Sequence, residues 1–209
     1  MHNIDKGYLS QLARETGFIR DTLEKVIRLT EILLFLNTEP ALSNRLALKG
    51  GTAINLVFFP LPRLSVDIDL DYLGADTREK MLNRGQTINA VIMRYMEEQG
   101  YRTNARSKTP YSLDSWVFSY PNLGGNNDTI TIEINYSLRS HLLPAHPMPL
   151  TLPFLAGSVP ILCLDAIEIY AGKINALLTR SAASDLFDIV NMINSDLIDE
   201  SQRPLLRKA

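Results

Sequence analysis

Apolar residues recur at helical spacing from Asp21 to about Leu36, where Leu23, Val26, Ile27, Leu29, Ile32, Leu33 and Leu36 form one stripe and predict a packed helix. Arg45 to Lys49 then reads as a short strand ending at Gly50-Gly51. Thr52 is the expected N-cap of a helix through Phe58, stopped by Pro60 and Pro62. The period changes at Val66. Val66, Ile68 and Leu70 alternate with Asp67, Asp69 and Asp71, which predicts a strand carrying apolar and acidic sets on opposite faces. A long helix is predicted from about Thr77 to Gln99, closed by Gly100. Two further strands are expected near Leu113 to Tyr120 and Thr129 to Tyr136, joined through Gly124-Gly125-Asn126-Asn127.

The pattern shifts again at Pro144, Pro147, Pro149 and Pro153, which predict an extended crossing rather than a helix. Asp165 opens a helical pattern with Glu168 three residues on, a spacing like that of a capping box. Helices to about Leu178 and from about Ala183 to Asn194 follow, and the last residues, from Arg203, read as a frayed end. The expected fold class is therefore α/β (α+β): a small mixed sheet flanked by helices, with a C-terminal helical part. The expected division is 1–150 for the core with its N-terminal helices and 151–209 for helices that complete the site.

Composition narrows the setting. With 45% hydrophobic and 21% charged residues the chain reads as an ordinary globular protein. A net charge of -2 argues against a surface that coats nucleic acid, though not against a local basic groove. The single cysteine, Cys163, excludes an internal disulfide and a cysteine-based zinc cluster. The run Ile32 to Leu36 is too short to span a bilayer, and the first residues lack the order of a signal peptide, so a cytoplasmic protein without a membrane partner is expected.

The chemistry concentrates in Lys49-Gly50-Gly51-Thr52 and in Arg63-Leu64-Ser65-Val66-Asp67-Ile68-Asp69. Asp67 and Asp69 leave one strand face together, a spacing that lets two carboxylates share oxygen ligation of Mg²⁺ or Mn²⁺. The diglycine turn and the start of the next helix offer backbone N–H groups to phosphate. Together these are the parts needed for metal-assisted transfer from a nucleoside triphosphate. Glu133, among alternating isoleucines, either completes the metal site, accepts the acceptor hydroxyl's proton, or is simply a surface glutamate. Asp71 shares the acidic face near the strand end and reads as structural.

These blocks resemble the AbiEii/AbiGii-type nucleotidyltransferases, a toxin class that includes the MenT-type toxins. The resemblance extends to Glu133, to Lys173 in Tyr170-Ala171-Gly172-Lys173, and to Arg180 followed by Asp185-Leu186-Phe187-Asp188. Gly172 and Ser184 depart from the family pattern, which has Glu and Arg there. The resemblance implies a nucleotidyltransferase fold in which Asp67 and Asp69 hold metal. Lys49, Gly50, Gly51, Thr52, Arg63 and Ser65 would meet the triphosphate, Lys173 would neutralise phosphates, and Asp185, more than Asp188, would be the last acidic group. It implies transfer of a nucleoside monophosphate to RNA, a tRNA 3′ end in particular, and a cognate antitoxin. Two alternatives stay open: a small-molecule, antibiotic-modifying nucleotidyltransferase, and a non-catalytic nucleotide- or protein-binding module.

Other groups rank lower. His2, His141 and His146 have no metal-ligand spacing, and Cys163 between Leu162 and Leu164 reads as a buried small residue. Trp116, Phe118 and Tyr120 alternate on one strand face and are expected to pack. Arg102, Arg106 and Lys108 read as a solvated strand edge.

Overall fold

Alternation of apolar and acidic residues does produce a strand, Asp67–Tyr72, and that strand sits in the middle of a mixed seven-stranded sheet. The computed structural model describes residues 5–59, 63–74, 76–110, 112–138, 140–150, 152, 160–195 and 197–208. The expected stops at Pro60 and Pro62, and Pro153 and His2, lie outside these residues. In chain order the strands are β1 (Leu46–Lys49), β2 (Asp67–Tyr72), β3 (Arg102–Thr103), β4 (Leu113–Pro121), β5 (Asn127–Asn135), β6 (His146–Met148) and β7 (Ile161–Cys163). They are arranged β3-β4-β5-β2-β1-β7-β6. β2 runs antiparallel to β1 and parallel to β5, β4 and β5 form the expected hairpin, and β7 lies parallel to β1.

One sheet face is the core. Ile68 and Leu70 of β2, Leu46 and Leu48 of β1, and Ile130, Ile132 and Ile134 of β5 are all buried there in a single apolar cluster. The helices α1 (Lys6–Thr16), α2 (Arg20–Thr38) and α4 (Arg78–Glu98) include the one predicted stripe almost as expected: Leu23, Val26, Leu29, Ile32, Leu33 and Leu36 of α2 are buried. Thr77 caps α4, accepting from the Lys80 N–H, and Gly100 at φ 82° follows its last turn. Phe118 and Tyr120 pack in the core as expected, with Trp116 against its edge.

Three differences have physical causes. The helix after the diglycine turn is α3 (Gly50–Ala53), which widens into a π-helical turn over Ile54–Phe58. Thr52 is not its N-cap: Lys49 occupies that position, and Thr52 is buried inside the first turn, its hydroxyl donating to the Asp67 carbonyl. The proline-rich crossing contains β6, an edge strand whose Pro147 is tolerated where only one neighbour is paired. Finally, Asp165 does cap α5 (Ala166–Arg180), accepting from Ile167 N–H, but Glu168 does not complete a capping box. Its carboxylate instead accepts the backbone N–H groups of Leu142 and Leu143.

The last long helix, α6 (Ala183–Ile193), inverts the usual amphipathic rule. It buries Asp185 and Asp188 beside Ile189 and Met192 while leaving Leu186, Phe187, Val190 and Ile193 exposed. Two carboxylates go inside a fold only when cations meet them there.

Candidate active site

Register builds the site. Pairing places Lys49 opposite Asp69, Asp69 opposite Glu133, and Glu133 opposite Ser115, so one transverse row crosses four strands on the face away from the core. Ser115 donates its hydroxyl to Glu133 Oε1 at 2.8 Å, which fixes that carboxylate. Asp67 lies exposed two residues earlier on β2. The row opens into a cavity of about 320 Å³ that also touches Ser112, Leu113 and Asn135.

Electrostatics mark Asp69 as the strained member. Burial, then the neighbouring charges of Glu133 and Asp67, push its carboxyl up to about 6, against the opposing pull of Lys49 and Lys173. A hard divalent cation with water and phosphate oxygens as its other ligands would relieve the charge crowded around Asp69. Among the described residues no group of three His, Cys, Asp or Glu side chains is placed to hold a metal ion, so a cation here would rest on the Asp67 and Asp69 pair with water and substrate oxygens.

The diglycine turn abuts this row. Gly50 adopts φ 69°, and a Cβ there would collide with the Asp69 carboxylate. A Cβ on Gly51 would lie 2.7 Å from Arg63 Nη2 and 3.1 Å from Ser65 Oγ. Thr52 shares a 3.0 Å hydrogen bond with Ser65, so the turn, the Ser65 hydroxyl and the start of β2 are one hydrogen-bonded unit. Gly50→Ala is therefore expected to cost about 2 kcal/mol or more in a urea titration, through the left-handed backbone and the clash together. A midpoint equal to wild type would contradict this account of the turn.

The C-terminal helices add a clamp of ion pairs. Lys173 donates to Asp185 Oδ1 and approaches Asp188 Oδ2, both at 2.9 Å. Arg180 donates to both oxygens of Asp185, at 2.7 and 2.8 Å, and hydrogen bonds from Arg180 and Lys173 hold that carboxyl well below the usual range. Arg63 makes a two-point fork on Asp188, at 2.8 and 2.6 Å.

Each expected site residue can now be placed. Asp67, Asp69, Glu133, Lys49, Gly50, Gly51, Thr52 and Ser65 converge on one face of the sheet around β2. Lys173 stands close enough to influence Asp69, but its ammonium is already engaged by two carboxylates. Arg63 is engaged by Asp188 rather than left open, and Lys49 pairs with Asp71. Sequence reasoning missed Ser115, passed over Arg180 as a site residue, and ranked Asp188 below Asp185 although both are fully buried. Asp188 stands in the block that carries the family resemblance, and the inverted face of α6 is a second signal for it. Cys163 is inert: burial pushes its thiol up to about 12.

A carboxylate row on neighbouring strands, with a glycine turn against it in a mixed sheet under helices, is geometry that a nucleotidyltransferase would use. The sequence agrees: the profile of the family described as "Nucleotidyl transferase AbiEii toxin, Type IV TA system" matches residues 32–209, and the chain belongs to this family of toxins from type IV toxin–antitoxin systems. Among solved structures it is similar to "MenT4, nucleotidyltransferase toxin Rv2826c from Mycobacterium tuberculosis H37Rv", at 22% identity and a TM-score of 0.66, covering 95% of this chain and 67% of that one. It is also similar to JHP933 from Helicobacter pylori, at 18% identity and a TM-score of 0.53, covering 80% of this chain and 64% of that one. The chain thus spans about two thirds of the length of these structures, and the likenesses establish the fold. No curated protein matches the chain in sequence. Among the described residues no helix is long and apolar enough to cross a membrane.

Proposed function

We propose that the chain transfers a nucleoside monophosphate from an NTP to an RNA acceptor, a tRNA 3′ end in particular, as the toxin of a pair whose antitoxin restrains it. The observation that carries this reading is the transverse row Lys49–Asp69–Glu133 set against the diglycine turn. Asp67 and Asp69 would hold a divalent ion. When bound, that ion neutralises triphosphate charge and makes an attacking hydroxyl more acidic. The backbone at Gly51 and Thr52, with Ser65, would receive phosphate oxygens, a reading supported by the hydrogen bond that ties Thr52 to Ser65 at the start of β2. Glu133, fixed by Ser115, accepts the proton of the acceptor hydroxyl as its oxygen bonds to the α-phosphorus. The bond to the departing pyrophosphate breaks. The C-terminal helices complete the site by locking Arg63 and the start of β2 in place through Asp188.

The test is direct. Purified protein, Mg²⁺ and each labelled NTP in turn are incubated with total tRNA. Label should enter the RNA, fall to background with EDTA, and drop by about 10³-fold in Asp67→Ala. Label on a small hydroxylated acceptor with RNA untouched would move the reading to an antibiotic-modifying enzyme. Label nowhere, with NTP bound, would reduce the protein to a binding module.

A further inference from the structure

Lys49 is expected at the triphosphate, yet its ammonium is bound to Asp71, 2.5 Å from Oδ1. Asp71 is 1% exposed. A carboxylate so buried does not give up its cation unless another donor replaces it. The structure holds one in reserve. His141 Nε2 lies 3.9 Å from the other oxygen, Asp71 Oδ2, and is itself buried without a hydrogen-bond partner among the described residues. Its Nδ1 lies 3.6 Å from Glu168 Oε2. Glu168 also accepts the backbone N–H groups of Leu142 and Leu143, so α5 pins the segment that carries the imidazole. An N–H on either ring nitrogen has a carboxylate to meet.

We infer that His141 is a positioning residue that takes over Asp71 when Lys49 is lent to a nucleoside triphosphate. A shift of about 1 Å brings Nε2 into hydrogen-bonding range of Asp71. Lys49, opposite Asp69 in register, then turns to phosphate oxygens without stranding a buried charge. The exchange explains two otherwise unconnected facts: a buried imidazole nitrogen, His141 Nε2, without a hydrogen-bond partner among the described residues, and a candidate phosphate lysine tied to a neighbour. It rests on the proposed NTP-dependent reaction, because the phosphates are what draw Lys49 away.

Calorimetric titration of the full chain with each Mg·NTP in turn tests the exchange, with thermal melts to check that every variant folds. His141→Ala and Lys49→Ala should each weaken Mg·NTP binding by about tenfold, and the double variant should bind no more weakly than Lys49→Ala alone. His141→Gln, whose amide also supplies an N–H, should keep most of the affinity. In an Asp71→Asn background, where Lys49 is already released, His141→Gln or His141→Ala should change nothing. Losses that simply add in the double variant, or wild-type affinity in His141→Ala, would overturn the inference while leaving NTP chemistry intact. Wild-type protein that binds no Mg·NTP would overturn both.

Discussion

Asp69→Asn should abolish nucleotide transfer and yet raise the melting temperature at pH 7.5 in the absence of divalent ions. The native protein holds the Asp69 carboxyl at about 6, by burial and by the charges of Glu133 and Asp67, against about 3.9 in an unfolded chain. The folded state therefore binds this proton more tightly than the unfolded state does. Stability linked to it is fully present below about pH 4, declines as pH rises, and is lost above about pH 6. An uncharged amide removes that penalty, worth about 3 kcal/mol at neutral pH, or about 9 °C in a domain of this size. The gain should vanish by pH 4. Added Mg²⁺ should stabilise wild type more than the variant, because only wild type has the crowded charge to relieve. A variant less stable than wild type at pH 7.5 would show that the row is not electrostatically strained, and the argument for a cation there would lose its support.

The second large effect lies at the other end of the chain. Asp188→Ala should cost about 3–5 kcal/mol in chemical denaturation, because it strips the fork from Arg63 and one of two partners from Lys173 in a buried setting. The loss should be larger than any expected from the exposed Leu186 or Ile193 of the same helix. Activity should fall with it, since Arg63 would no longer anchor the segment leading into Ser65 and Asp67. Acid should act on the same clamp. Asp185 is held below the normal carboxylate range by Arg180 and Lys173, so its contribution is present at neutral pH and disappears as pH drops below about 4. An unchanged denaturation midpoint for Asp188→Ala would mean that the clamp is not a stabilising tie.

What could be read from the sequence follows from the range over which each signal acts. β2 was legible because period-two alternation is local, and α4 because Thr77 and Gly100 punctuate it. The start of the site was legible because Lys49, the diglycine and Asp67 sit within twenty residues of one another. β6 and β7 are three residues each, too short to show any period, and one contains Pro147. α1 has only Leu9 and Leu12 buried, which leaves almost no stripe to detect. The Arg63–Asp188 fork joins positions 125 residues apart, and nothing near either end announces it. Thr52 misled because a threonine after glycine looks like a cap, whereas tertiary contact with the Asp67 carbonyl claims its hydroxyl. Gly172, which departs from the family pattern, leaves α5 unbroken from Ala166 to Arg180, and Asp185 draws its cations from Lys173 and Arg180 with Ser184 alongside.

The row of Lys49, Asp69, Glu133 and Ser115 and the layer of Ile68, Leu48 and Ile132 behind it are obverse and reverse of a single strand alignment. Sliding β2 by one position would carry its aspartates inward and its isoleucine and leucine out to water. A one-residue misalignment of this sheet therefore loses its packing and its acidic row together. Burial of Ile68, Leu48 and Ile132 thus guards the acidic row against a slip of one residue.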